Sequence, residues 1–205
     1  FAECHRAYAS IVGIPKFLPH GAGMLLEKEI DHVNKILDNP PRPLVAIIGG
    51  AKVETKTTFL KSISEVADNV IISGLIKKEL LQKHSDILQN VRMLGPEKDW
   101  EAKDIDDETA ALFAEKIKTA KTIVWNGPFG NIEDGNFRKG TRAIADAIIE
   151  SGAFSVVGGG STIDFINDEK LRAQFTWVST GGGAMLEFLS GEELPGIKAL
   201  TSNRR

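Results

Sequence analysis

Short apolar runs ending at glycine recur along this chain, and each is followed by residues with helical spacing. Residues 44–48 (LVAII) precede Gly49 and Gly50, 70–73 precede Gly74, 122–125 precede Asn126 and Gly127, 154–157 precede Gly158, and 175–179 precede Thr180. A five-residue apolar run between Pro43 and Gly49 fits a strand buried on both faces, the kind found in parallel sheets. Between the runs, Leu26, Ile30, Val33 and Leu37 fall on one face of a predicted helix over 24–37, with Glu27, Lys28, Glu29, Asp31 and Lys35 elsewhere. Phe59, Leu60, Ile63 and Val66 mark a second helix, Ala110, Phe113 and Ile117 a third, and Ile144, Ile148 and Ile149 a fourth. Alternating strands and helices predict an α/β domain: a doubly wound, Rossmann-like, mainly parallel sheet with helices on both faces. Residues 83–107 are less patterned and are read as a further strand around 87–94 followed by a charged loop. Residues 1–19 look like a connector rather than a domain.

The glycines sharpen this picture. Gly49, Gly50, Gly74, Gly127, Gly158, Gly159, Gly160, Gly181, Gly182 and Gly183, half of the chain's 20 glycines, lie just after predicted strands. That edge is where doubly wound sheets bind ligands. After the first strand, Gly49 and Gly50 let backbone approach a ligand, a helix start supplies unpaired N–H groups, and Lys52 and Lys56 add positive charge: a phosphate cradle. The same residues also suit a plain strand–turn–helix with two solvated lysines. The triplets Gly158–Gly160, continuing into Ser161 and Thr162, and Gly181–Gly183, preceded by Thr180, suit anion nests or, alternatively, helix capping and tight packing. A dinucleotide fingerprint is absent. Gly50-x-x-x-x-Thr55-Lys56-Thr57 approaches a phosphate-binding P-loop but lacks its second glycine. His5 and Arg6 suit an anionic substrate or a short capped helix.

Composition excludes several classes. The chain has 205 residues, 42% hydrophobic and 26% charged, which suits one globular domain with a substantial core. A net charge of −3 and an isoelectric point near 5.9 argue against a general nucleic-acid binder. Cys4 is the single cysteine, so no internal disulfide is expected, and a reducing cytoplasm fits. No stretch approaches the roughly 20 apolar residues of a membrane span, and no signal-peptide pattern is read at the amino end.

Five segments, in order, resemble the phosphoglycerate kinase family: HRAYAS (5–10), RPLVAIIGGAKVETK (42–56), AKTIVWNGPFG (120–130), AFSVVGGGST (153–162) and WVSTGGGAMLEFLSGEELPGIKAL (177–200). What matches is the carboxyl-terminal, nucleotide-binding lobe of a bilobal kinase, with residues 1–22 as the remnant of the interlobe connector, 23–200 as the lobe and 201–205 as a polar tail. The resemblance implies reversible phosphoryl transfer between 1,3-bisphosphoglycerate and ADP in glycolysis, with ATP or ADP and Mg²⁺ bound by a cytoplasmic monomer. Acid substrate would be handled only together with an amino-terminal lobe, and this chain alone is expected to be nearly inactive. By the same resemblance Lys52 lies near the transferring phosphoryl group, with Gly181, Gly182 and Gly183 forming the helix start that receives it. Nucleotide contacts fall to Gly50, Lys56, Gly74, Asn126, Glu133 (at the ribose), Gly158, Gly159, Gly160, Ser161, Thr162 and Thr180. His5 and Arg6 match the 3-phosphoglycerate side.

Three departures stand out. Ser73-Gly74-Leu75 replaces a glycine triplet and the adenine-side region after it is shortened; Thr55 stands where an aspartate is usual; and Ser161 replaces the aspartate associated with magnesium. An inactive nucleotide-binding or interaction module of the same fold is the alternative reading, and an unrelated P-loop NTPase a distant third.

Overall fold

The computed structural model describes residues 1–51, 56–89 and 92–201. Its six strands are β1 (Leu44–Ile48), β2 (Asn69–Ile72), β3 (Met93–Leu94), β4 (Thr122–Asn126), β5 (Phe154–Gly158) and β6 (Trp177–Val178). They form one sheet in the order β3-β2-β1-β4-β5-β6, and every neighbouring pair is parallel. Around it lie α1 (Met24–Leu37), α2 (Thr57–Val66), α3 (Gly74–Lys83), α4 (Ser85–Gln89), α5 (Asp107–Lys118), α6 (Lys139–Ser151), α7 (Gly160–Asp168), α8 (Gly182–Leu189) and α9 (Pro195–Thr201). The strand order reverses direction at β1 and β4, so the crevice outside their carboxyl ends is the topological switch point of a doubly wound fold.

Period-two alternation divides the core between the two sheet faces. Leu44, Ala46, Ile48, Val70, Ile72, Val124 and Val156 pack with α1, α2, α3 and α8, while Val45, Ile47, Ile71, Ile123, Trp125 and Val157 pack with α5, α6 and α7. All five β1 residues are buried, as expected for a central strand covered on both faces.

Local signals set the helix ends. Asp106 caps α5, its carboxylate accepting from the Thr109 N–H at 2.7 Å, while Lys116 and Lys118 face the negative end of the dipole. Gly152 closes α6 in the left-handed conformation at φ 62°.

Three sequence expectations need correction. The strand anticipated over 87–94 is confined to Met93–Leu94; Ile87 lies in the short helix α4 and is 3% exposed, because a brief apolar run can be buried from a single helical turn as well as from a strand. Strand β6 is only Trp177–Val178 rather than 175–179: beside it the Ser155 N–H donates to the Thr176 hydroxyl and the Thr176 N–H to the Ser155 hydroxyl, each at 3.1 Å, so side chains replace the next backbone pairing. On α1, Glu29 is fully buried with Val33 and Ile36, whereas Leu37 is 40% exposed. Positions 29, 33 and 36 form the inward stripe.

Candidate functional site

A cleft of about 1220 Å³ opens at the carboxyl edge of the sheet. Its floor is built where backbone meets backbone through glycine. A Cβ on Gly49 would stand 2.2 Å from the Pro128 carbonyl oxygen, and one on Gly182 would stand 2.5 Å from Cα of Gly159. The second contact brings the starts of α7 and α8 against each other. Asn126, at the end of β4 and 5% exposed, puts its side-chain amide between them, 3.2 Å and 3.3 Å from where Cβ atoms of Gly159 and Gly182 would be. Two helix N-termini therefore converge on one buried amide, at a place where the dipoles favour an anion.

The two starts are occupied differently. Gly159 has φ +100°, a conformation that suits glycine; Gly160 has open space where a side chain would be, and Ser161 is exposed. Thr162 is fully buried, its hydroxyl accepting from the Gly127 N–H at 2.8 Å. At α8, Glu29 accepts from both the N–H (2.5 Å) and the hydroxyl (2.6 Å) of Thr180 and from the Trp177 indole (3.0 Å), and it lies 2.8 Å from the Phe1 amino group. Burial pushes this carboxyl up, and those donors together outweigh burial and hold it below its ordinary value. Gly181 packs on the backbone of Ala2, and the His5 imidazole lies over Gly183, with Nε2 3.3 Å from the Cβ position. His5 Nδ1 is buried without a hydrogen-bond partner.

Lys56 is 7% exposed, and its ammonium group donates to the Gly49 carbonyl beside Gly50. The alternative of a solvated lysine therefore does not hold for Lys56, which is a buried charge at the cleft wall. Lys52, Val53, Glu54 and Thr55 lie outside the described residues, so the lysine expected at the transferring group has no described place. Gly158 is not brought to the cleft: it sits beneath the floor, where a Cβ would meet the Met185 Sδ at 2.9 Å. Gly50, Lys56, Gly74, Asn126, Glu133, Gly159, Gly160, Ser161, Thr162, Thr180, Gly181, Gly182, Gly183, His5 and Arg6 all line it. Arg6 is exposed and 3.6 Å from Glu3, and Glu133 is exposed on the rim.

Opposite the glycines, residues 95–106 run directly from β3 to α5 and close one end of the cleft. Gly74 is pressed against the Trp100 backbone, a Cβ there standing 2.5 Å from its carbonyl oxygen. Glu29, Trp100, Asp104 and Thr141 were not singled out from the sequence. Only Glu29 left a usable signal, a carboxylate spaced four and seven residues from the buried Val33 and Ile36.

A parallel sheet with a glycine-lined cleft at its switch point defines a doubly wound α/β lobe. The chain belongs to the phosphoglycerate kinase family: the family model described as "Phosphoglycerate kinase" matches residues 1–92 and 78–192. Phosphoglycerate kinases of two Clostridium kluyveri strains are each 37% identical over 250 aligned positions, covering 98% of this chain and 62% of theirs. Among solved structures, phosphoglycerate kinases from Coxiella burnetii and Pyrococcus horikoshii OT3 superpose with TM-scores of 0.85 at 33% identity. They cover 98% of this chain in both cases, and 64% and 62% of those chains respectively. The chain thus spans less than two thirds of the relatives' length. An alignment longer than the chain itself means that gaps are present, and the two family matches meet at 78–92, just before the short 95–106 connector.

Proposed function

We propose that this chain is the nucleotide-binding lobe of a phosphoglycerate kinase, holding ADP or ATP in the cleft for reversible phosphoryl transfer with 1,3-bisphosphoglycerate. The observation that carries this reading is the convergence of the α7 and α8 N-termini on Asn126, with the buried Lys56 charge in the same cleft. Phosphoryl transfer asks little covalent chemistry of a protein; it needs alignment and neutralisation of oxygen charge, which oriented N–H groups and a lysine supply. In this assignment the open α7 start and Lys56 hold nucleotide phosphates, Glu133 meets the ribose, and Gly181–Gly183 with Lys52 receive the group in transit. His5, over Gly183, lies on the acid-substrate side with Arg6.

Exposed apolar side chains in the amino-terminal part, Tyr8, Phe17, Leu18 and Met24 at 59–83%, support the docking of a further lobe there. Such a lobe would supply the rest of the acid site, and the chain would act in the cytoplasm as one lobe of a monomer, with residues 1–22 as the connector. Correct mutual positioning of two reactants contributes about 7–11 kcal/mol to lowering a bimolecular barrier, so this chain alone should turn over very slowly. Near-normal turnover by the purified chain would overturn that expectation.

Magnesium does not find a protein cage here: among the described residues no cluster of three or more His, Cys, Asp or Glu side chains could hold a metal, and α7 offers the neutral Ser161 hydroxyl with Asp164 three residues on. An ion delivered with nucleotide phosphates remains compatible with this, since Mg²⁺ keeps several waters and binds largely through phosphates. The same neutral Ser161 favours a second reading, an inactive nucleotide-binding module of this family. Melting with and without millimolar ADP or ATP tests binding: occupancy at about 100 times Kd adds roughly 2.7 kcal/mol. A folded sample with no shift would rule out both readings. Recovery of transfer on adding a separately expressed amino-terminal lobe would decide between them.

A further inference from the structure

Helix α6 begins without a cap of its own, since Arg138 at its N-cap position makes no side-chain bond to the first turn. The cap comes from 36 residues earlier in the chain: Asp104 Oδ2 accepts from the Gly140 N–H at 3.0 Å, and the carboxylate is also bonded by the backbone N–H groups of Lys139 and Ile105. The other oxygen faces Gly130, where a Cβ would stand 2.5 Å from it, so two glycines, Gly130 and Gly140, make room for this one carboxylate. Within the first turn of α6, the buried Thr141 hydroxyl accepts from the N–H groups of Phe129 and Gly130, both at 3.1 Å. The Asn131 N–H donates to the Lys103 carbonyl at 2.7 Å, closing the ring. Residues 129–131 are thus held from both sides, and Glu133 follows two positions later on the cleft rim.

We propose that Asp104 and Thr141 are positioning residues for the nucleoside end of the cleft: together they lock the loop that carries Asn131 and Glu133 onto the start of α6. The inference rests on the nucleotide reading, which supplies the ligand but names neither residue. Its physical content is a division of labour. Phosphate oxygens meet the glycine starts of α7 and α8, which Asp104 and Thr141 do not touch; the sugar and base meet the loop that these two residues hold. Burial raises the Asp104 carboxyl above its ordinary value, and the charge of Asp107 on α5 adds to this, while the N–H donors of Gly140, Ile105 and Lys139 pull the other way. A carboxylate kept in place despite burial is consistent with a role that needs its geometry.

Calorimetric titration of the intact chain with ADP and, separately, with inorganic tripolyphosphate tests the division. Asp104→Ala and Thr141→Val should each weaken ADP by about tenfold, the scale of a lost buried hydrogen bond to an organised loop, and change tripolyphosphate by less than about twofold. Thr141→Ser keeps the acceptor and should restore ADP affinity to within about threefold of wild type. Asp146→Asn, which alters an exposed ion pair with Arg142 on α6 away from the cleft, should bind ADP normally. Should Asp104→Ala fail to fold, the near-isosteric Thr141→Val and Thr141→Ser pair decides. Unchanged ADP affinity in Asp104→Ala and Thr141→Val would overturn the proposal, as would an equal loss of ADP and tripolyphosphate. A wild-type chain that binds no ADP would sink the nucleotide reading itself; one that binds ADP no better than these variants would sink this inference alone.

Discussion

The two glycine triplets have the same letters and opposite surroundings. After β5, Gly160 faces open space and Ser161 is exposed, so the start of α7 is available to a ligand. After β6, Thr180 is taken up by Glu29, Gly181 is packed on Ala2, and His5 covers Gly183, so the start of α8 is fastened to the amino-terminal segment and to α1. The difference teaches that the same glycine letters serve a helix start open to the cleft at Gly160 and one against which Ala2 and His5 pack at Gly181 and Gly183, and that only the surroundings decide which.

The strongest way to break the contrast is Glu29→Ala. It leaves the Trp177 indole and both donors of Thr180 without their buried acceptor, and a loss of about 3–5 kcal/mol is expected in denaturant melts, while the α7 start is untouched. The sign of its pH dependence follows from the depressed carboxyl. Stability from Glu29 is fully present above its unfolded value of 4.5 and is lost as pH falls below that toward the folded value. Glu29→Gln should flatten the acid limb of the stability–pH curve in that window. An acid limb of unchanged slope would deny Glu29 this role.

Gly182→Ala comes next, because its methyl would stand 2.5 Å from Gly159 backbone and force the two starts apart. A destabilisation of about 1–3 kcal/mol should accompany the loss of ADP-induced stabilisation. Gly160→Ala is its counterpart: with open space at that position, stability should stay within about 0.5 kcal/mol of wild type. Equal costs at the two glycines would erase the distinction drawn between the triplets.

Lys56→Ala should weaken ADP by about tenfold, whereas Lys61→Ala, removing an exposed α2 lysine 4.0 Å from Asp86, should leave it unchanged. The smallest effect sharpens the picture at α7. Ser161→Asp should increase the magnesium-dependent gain in ADP affinity, which the wild-type chain is expected to show only weakly. A large wild-type gain that Asp164→Ala abolishes would instead assign the compensation to Asp164.

Much of this was legible in the residues alone. The apolar run 44–48, buried on both faces, announced a central parallel strand, and the alternation of runs and helical spacings announced a doubly wound sheet, because each pattern leaves few ways to bury its apolar surface. Glycines after strands marked the ligand edge for the same steric reason that later places them there: Gly49, Gly159 and Gly182 sit where backbones touch. The short elements were less legible. Ile87 in α4 and the two-residue strand β6 are settled by neighbours far away in sequence, and short apolar runs carry no periodicity long enough to separate helix from strand.

What the sequence by itself determined, then, is the layer architecture, the edge that carries the cleft and the family, since these depend on local periodicity and on motifs that survive as letters. Only the tertiary structure decided that Gly158 lies under the floor, that Lys56 is buried against a carbonyl, that Thr162 and Thr180 spend hydroxyls on Gly127 and Glu29, and that Asp104 caps a helix beginning 35 residues later. The physical reason is contact between segments. Met185 fills the space beside Gly158, and the other three depend on which donor or acceptor another part of the chain brings within about 3 Å, so that the hydrogen bond carries no trace in the spacing of the residues that make it.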